Sequence, residues 1–181
     1  MSADTMFKGL VPSAKMGGTA VSTTETQFVD TTSSANPLVA YVPGMNRLNG
    51  RPFELHVAGR ATGGTTVNLT IKLYWGTSAT YSSNTNIYTT STIAYDSASS
   101  NFYHIFRFVW DSTSGKLNGA ITGGWNGLTP TIVTNAVTTQ VSSVDLSGDL
   151  LSTGNGFTVT GTWSSSNANN AAYITAFELR A

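Results

Sequence analysis

Residues able to do chemistry are few in this chain and widely spaced. Histidine occurs at 56 and 104, glutamate at 25, 54 and 178, and cysteine is absent. Without cysteine there is no thiolate nucleophile, no thiolate metal site and no disulfide framework, and its absence fits synthesis in a reducing cytosol. Glycoside cleavage needs two carboxylates held roughly 5–10 Å apart. The best pair on offer is Asp145 and Asp149 in VDLSGDLLSTGNG. Both lie in a turn-rich run where an Asp side chain caps its own backbone, so they read as turn formers or a weak cation site rather than catalysts. Neither histidine has a second histidine or a carboxylate at metal-ligand spacing. His104 shares a parity with Phe102, Phe106 and Phe108, which makes it a hydrogen-bonded core or rim residue, whereas His56 alternates in step with Glu54 and reads as solvent-side. There is no Gly-x-Ser-x-Gly elbow, and the pairs Gly17-Gly18, Gly63-Gly64 and Gly123-Gly124 precede no helical pattern that would cradle a phosphate. The sequence therefore predicts no active site, no cofactor and no metal site.

The elements that would carry any surface are strands. In RPFELHVAGRATGGTTVNLTIKLYWG, residues 51–76, Phe53, Leu55, Val57 and Ala61 fall on one parity. After Thr62-Gly63-Gly64-Thr65, the row Val67, Leu69, Ile71, Leu73 and Trp75 alternates with polar partners. Period-two alternation is the signature of a half-buried strand, and the pair reads as a β-hairpin with one buried face. Asn101 to Asn126 reads as a second hairpin turning at Asp111–Gly115. Its first strand is apolar on both faces and is expected to sit centrally, buried on both sides. Gly119 and Gly123 in its second strand signal a bend or a close backbone approach. Ile87 to Tyr95 holds one weak strand, Val137 to Leu146 is strand-like, and Phe157–Trp163 with Ala171–Leu179 form the last pair, Tyr173, Thr175, Phe177 and Leu179 sharing a parity.

Some eight strands spaced by turn signals predict an all-β, two-sheet antiparallel sandwich. Long non-hairpin connections favour a jelly roll over a meander. The domain is expected to span residues 36–181, preceded by an extended N-terminal arm over 1–35. That arm is rich in Thr, Ser and Gly, with apolar residues only at scattered positions, and it lies either on its own sandwich or on a neighbouring subunit.

Composition narrows the function classes. The chain has 181 residues, zero formal net charge and 10% charged residues. Nucleic-acid binding calls for a basic stripe, and none is visible. No run approaches the ~20 apolar residues of a membrane span, and the first eighteen residues lack a signal-peptide core. Trp75, Trp110, Trp125 and Trp163 fall near strand ends, where a large aromatic closes a core. Tyr74, Tyr81, Tyr88 and Tyr103 are the better candidates for exposure, either to a sugar or to another subunit.

The runs LNGRPFELHVAGRATGGTTVNLTIKLYWGTS, FVWDSTSGKLNGAITGGWNG and NGFTVTGTWSSSNANNAAYITAFELRA resemble the jelly-roll structural proteins of tailed bacteriophages, in particular capsid decoration or cement proteins. The resemblance lies in strand texture and turn placement over Leu48 to Ala181. It implies a non-enzymatic virion protein, made in the host cytoplasm, that binds the major capsid protein on the shell's outer surface, commonly as a homotrimer. Candidate assembly contacts are then Phe7, Leu10, Val11, Val21 and Phe28 in the N-terminal segment, with Tyr81 and Tyr88 in and beyond the Thr77–Asn86 loop. Deleting residues 1 to 30 is expected to leave a folded sandwich that no longer binds shells. The alternatives are a neck, tail or fibre-associated virion sandwich and, from another class, a carbohydrate-binding module.

Overall fold

A computed structural model describes residues 14–16, 23–30, 39–41, 50–63, 67–76, 78–89, 93–95, 100–111, 113, 116–126, 140–145 and 156–180. In chain order the strands are β1 (Ala14–Met16), β2 (Thr26–Asp30), β3 (Val39–Tyr41), β4 (Pro52–Thr62), β5 (Val67–Gly76), β6 (Thr85–Thr89), β7 (Ile93–Tyr95), β8 (Ser100–Asp111), β9 (Lys116–Asn126), β10 (Gln140–Asp145), β11 (Gly156–Trp163) and β12 (Ala171–Arg180). A single 3-10 turn, Tyr81–Ser83, is the only helical element among the described residues. Among the described residues, twelve strands thus stand where some eight were expected. The excess is β1, β2 and β3, together with the division of the expected Ile87–Tyr95 strand into β6 and β7, all pairings of three to five residues whose weak alternation gives little sequence signal.

The strands form an antiparallel β-sandwich. The first sheet runs β10-β9-β8-β4-β12-β1, and the second runs β11-β5-β6 with β3 beside β11 and β7 beside β5. The two meet through β2. Phe28 to Asp30 pair with β1, whereas Thr26 and Gln27 pair with Gly161 and Thr160 of β11. One short strand therefore passes from sheet to sheet and closes one side of the sandwich, as at the corners of packed sheets.

The expected first hairpin is not a paired hairpin. β4 pairs with β8 and β12, while β5 pairs with β11, β6 and β7. The chain crosses between the sheets after Gly63, and β11 and β12 cross back in the same way. Alternation fixes which face of a strand is buried, but a hairpin and a crossing satisfy that row equally well, so the pattern alone does not choose the partner. β8 and β9 do form the second hairpin, in register from Asn101↔Asn126 to Asp111↔Lys116.

The rows meet in a core rich in rings. Phe157 of β11 lies 4.5 Å from Trp75 in an edge contact, 5.4 Å from Phe108 and 6.4 Å from Phe53, measured between ring centroids. Trp75 and Trp163 are fully buried, as capping aromatics should be; the side chains of Trp110 and Trp125 lie outside the described residues. Gly59 is opposite Phe102 across β4 and β8. A Cβ there would collide with the Phe102 ring and with the Tyr173 carbonyl, so the missing side chain is what lets that ring lie over the sheet. Gly119 stands in the same relation to Phe108.

Two local expectations are corrected. β8 is central, between β4 and β9, but its outer side is open: Tyr103 and Val109 are 44% and 38% exposed. In β12 the register shifts between Ile174 and Ala176. This β-bulge switches parity, so Ala172 and Ile174 point inward before it and Phe177 and Leu179 after it, leaving Tyr173 and Thr175 off the core row.

The described parts of the N-terminal segment include the strands β1 and β2 and lie on this chain's own sandwich. β1 pairs with β12, and Phe28 is fully buried in the core. Phe7, Leu10, Val11, Val21 and the boundary at 35/36 fall outside the described residues. Removing residues 1 to 30 would take Phe28 out of the core and unzip the closing strand, so the deletion cannot be treated as the trimming of a dispensable arm.

Candidate functional site

The two outer faces of the sandwich differ. On the outer side of the second sheet, the Glu25 side chain reaches over β5 and β11 from the start of β2, and Gln27 ties down the turn at 79–81. The Glu25 carboxylate accepts hydrogen bonds from Lys72 Nζ, Tyr74 OH and Thr160 Oγ1, each at 2.6 Å. Tyr81 OH donates to the Glu25 carbonyl at 3.1 Å, Gln27 Nε2 donates to the Ala79 carbonyl at 2.7 Å, and the Tyr81 amide donates to Gln27 Oε1 at 3.1 Å. Under this cover Thr158, Thr160 and Tyr74 are buried. Burial works to raise the Glu25 pKa, but the hydrogen bonds from Lys72, Thr160 and Tyr74 outweigh it and hold the carboxyl below the usual range. Lys72 is raised by its bond to Glu25, and the Tyr74 hydroxyl is raised by burial.

This cluster is a lock between the N-terminal segment and the sheet. Replacing Glu25 by Gln is expected to cost about 1–3 kcal/mol of unfolding free energy at pH 7, the range for charge-assisted bonds made partly out of water. A carboxyl with a lowered folded pKa stabilises above its unfolded value and ceases to do so as pH falls. The gap between wild type and Glu25→Gln in urea unfolding should therefore narrow from pH 7 to pH 3; a gap that is constant with pH would show that the charge is not what matters.

Among the described residues, nothing lies over the outer side of the first sheet across β8, β4 and β12, where Tyr103 and Val109 are exposed. Its outward residues stand in rungs set by the strand register: Arg107, Glu54 and Arg180; then Ile105, His56 and Glu178; then Tyr103, Ala58 and Ala176; then Asn101, Arg60 and Tyr173. Ala58 on one side of Tyr103 and Gly124 of β9 on the other are too small to shield it, which is why a tyrosine in mid-sheet is exposed. Its hydroxyl lies 2.5 Å from His56 Nδ1, and His56 Nε2 lies 2.7 Å from Glu54 Oε2. The other Glu54 oxygen accepts from Arg107 Nε at 2.7 Å. Arg180 Nη2 donates to Glu178 at 2.7 Å, and the Arg60 guanidinium sits 4.9 Å from the centre of the Tyr173 ring.

Donor and acceptor capacity orders this network. An ionised carboxylate only accepts, so in the neutral ring Nε2 carries the proton toward Glu54 and Nδ1 accepts from Tyr103. Arg107 and His56 together hold the Glu54 carboxyl below the usual range. His56 is thus not the solvent-side residue its alternation suggested: it is 5% exposed, on an outward face, beneath Tyr103. The Glu54–His56 alternation was legible, but the tyrosine 47 residues away in the chain that buries the imidazole required the β4–β8 register. A Tyr-His-Glu line has the order of an acid–base relay. The bonds along it hold the Tyr103 hydroxyl in place.

The remaining candidates are dispersed. Tyr88 is 7% exposed, set edge-on against Phe106 at 5.4 Å, with its hydroxyl pKa pushed up by burial. Like Phe28 it belongs to the core of this chain, because each lies on the inward row of its strand, and neither is available as an assembly contact. Tyr81 is half-buried against Tyr74. Tyr103 is the exposed member of the tyrosines singled out from the sequence. His104 is a core residue, as its parity indicated, 5% exposed, with burial lowering its pKa to about 4. Asp145 ends β10 opposite Lys116; Asp149 lies outside the described residues. Among the described residues no group of three or more His, Asp or Glu is placed to hold a metal ion, and no helix is long and apolar enough to cross a membrane.

No family model and no curated protein matches the sequence. Among solved structures, the seed lectin of Lotus tetragonolobus aligns over 92% of this chain and 86% of its own, at 10% identity and a TM-score of 0.41. The lectin UEA-II complexed with galactose aligns over 92% and 84%, at 8% identity and a TM-score of 0.40. The CBM2 module of the evolved Dit of Lactobacillus casei BL23 phage J-1 aligns over 78% and 66%, at 8% identity and a TM-score of 0.32.

Proposed function

We propose that this chain is a non-enzymatic virion structural protein that binds the outer surface of a capsid, stabilises the shell by bridging coat subunits, and does so through the open face of the β10-β9-β8-β4-β12-β1 sheet. The observation that carries this reading is the asymmetry of the sandwich. On one outer face the chain's own Glu25 and Gln27 tie down Lys72, Tyr74, Thr160 and the turn at Ala79–Tyr81, whereas among the described residues the other face leaves Tyr103, Val109 and arginines exposed. Tyrosine and arginine are the residue types that anchor protein interfaces. The resemblance to phage decoration proteins supplies the partner, the major capsid protein, and a homotrimeric arrangement. Bridging by many copies needs only modest contacts, since symmetric repetition turns them into avidity.

The test is co-sedimentation with purified shells. Tyr103→Ala combined with Val109→Asp should remain folded, both sites being exposed, and should bind at least about tenfold more weakly, the loss of roughly 1.4 kcal/mol per contact site. Unchanged binding would remove the face assignment. Absence of the chain from purified particles by quantitative mass spectrometry would remove the virion reading.

A second reading is favoured by one observation. Tyr103 and Tyr173 lie on the same face on either side of β4, and aromatic rings on a flat sheet can stack on sugar rings in a carbohydrate-binding module. Retention on immobilised glycans without shell binding would select it.

A further inference from the structure

We infer that the open sheet face is built for an acidic, acceptor-rich protein surface, with Arg60, Arg107 and Arg180 as its recognition groups. This rests on the proposal that the face is the contact surface and adds the chemistry of what it contacts.

Over the whole chain the charge cancels, with nine basic and nine acidic residues, so long-range attraction does not select a partner. Locally the charges separate by depth. The Arg107 and Arg180 side chains are 55% and 54% exposed, whereas Glu54 and Glu178, to which they are bonded, are 32% and 16% exposed. Arg60 is exposed as well. The carboxylates therefore sit low and the guanidiniums stand above them. The bonds to Glu54 and Glu178 engage one nitrogen of each, Arg107 Nε and Arg180 Nη2, while a guanidinium carries five N–H donors in a fork that matches a carboxylate. The less exposed carboxylates of the ion pairs orient the arginines, which lowers the ordering cost of binding.

The strand register fixes the size of the patch. Arg107 and Arg180 flank Glu54 on one rung, so their backbones are roughly 10 Å apart; Arg60 lies six residues along β4 from Glu54, roughly 20 Å away. Tyr103 lies between. Three separated guanidiniums around a tyrosine suit a few carboxylates spread over a protein surface. A nucleic-acid backbone, with a charge every ~1.7 Å, calls for a continuous basic stripe, and here Glu54 and Glu178 interrupt it.

The experiment uses the full chain and the triple variant Arg60→Gln, Arg107→Gln, Arg180→Gln, with circular dichroism to confirm that both are folded. Binding is measured by biolayer interferometry to immobilised poly-L-glutamate, poly-L-lysine and an oligo-dT strand at low salt, and to shells. The expected result is wild-type binding to poly-L-glutamate that is lost at high salt, at least tenfold weaker in the variant, with weaker binding to oligo-dT and none to poly-L-lysine. Equal binding of variant and wild type to poly-L-glutamate overturns the inference, and so does tighter binding to oligo-dT than to poly-L-glutamate. The two proposals fail separately: arginine-dependent binding to poly-L-glutamate with no binding to shells removes the shell reading alone. Shell binding that the triple variant retains in full removes the acidic-partner inference alone.

Discussion

Phe157→Ala is expected to lower the unfolding free energy by about 3–5 kcal/mol, the range for truncating a fully buried phenylalanine. The magnitude follows from where the ring sits. Phe157 belongs to β11 in one sheet, and it packs on Phe53 and Phe108 of the other sheet as well as on Trp75 beside it. Its removal opens a void between layers that are each held by continuous ladders, so little relaxation can refill it. The check is urea unfolding monitored by tryptophan fluorescence, with Phe157→Leu expected to lose markedly less. A loss below about 1.5 kcal/mol for the alanine variant would place the ring outside the cooperative core.

Acidification should destabilise the protein well before its carboxylates titrate. His104 faces the core between Phe102 and Phe106, at 6.1 and 6.2 Å, and burial lowers its pKa from 6.5 to about 4. Between those values the unfolded chain binds a proton that the folded chain refuses, so stability rises with pH across the window and falls on acidification through it. A displacement of that size corresponds to about 3 kcal/mol. Below it, Glu25 and Glu54, both lowered in the folded state, add a further loss as they protonate. His104→Phe, which keeps a ring in the same row, is expected to flatten the upper part of the profile and leave the lower part. Unfolding free energies at pH 7, 6, 5 and 4 read this directly. Parallel profiles for the two proteins would show that His104 does not titrate in the core.

How much of this was legible in the sequence depends on the range of the signal. The alternating rows of β4, β5 and β8 could be read locally, because period two is a property of a single strand, and with them came the all-β sandwich and the core placement of His104. Pairing could not. The same rows fit a hairpin or a crossing, and only assembly shows that Phe53 and Trp75 reach their common neighbour Phe157 from opposite sheets. The bulge in β12 reversed the expected orientation of Tyr173, because one inserted residue leaves composition unchanged and shifts every side chain that precedes it. The candidate site was the least legible. Glu54, His56, Tyr103, Arg107 and Arg180 come from three strands, and none is distinctive until the register sets them on adjacent rungs. Glu25 likewise finds Lys72 and Thr160 only because β2 crosses between the sheets.

That crossing strand also bears on how the protein is made. Gln27 pairs with Thr160, and Lys15 with Tyr173, so among the described residues the β1–β2 pair is joined to the two sheets only through β11 and β12. A nascent chain that has not yet reached Gly156 therefore holds β1 and β2 without the strands that join them to the sheets, even though Lys72, Tyr74 and Tyr81 are already present for Glu25. Contacts of such long sequence separation carry the loop-closure cost that slows folding. The side that β1 and β2 close is therefore expected to form only after translation has passed β12, and until then these early strands need to be kept from other chains.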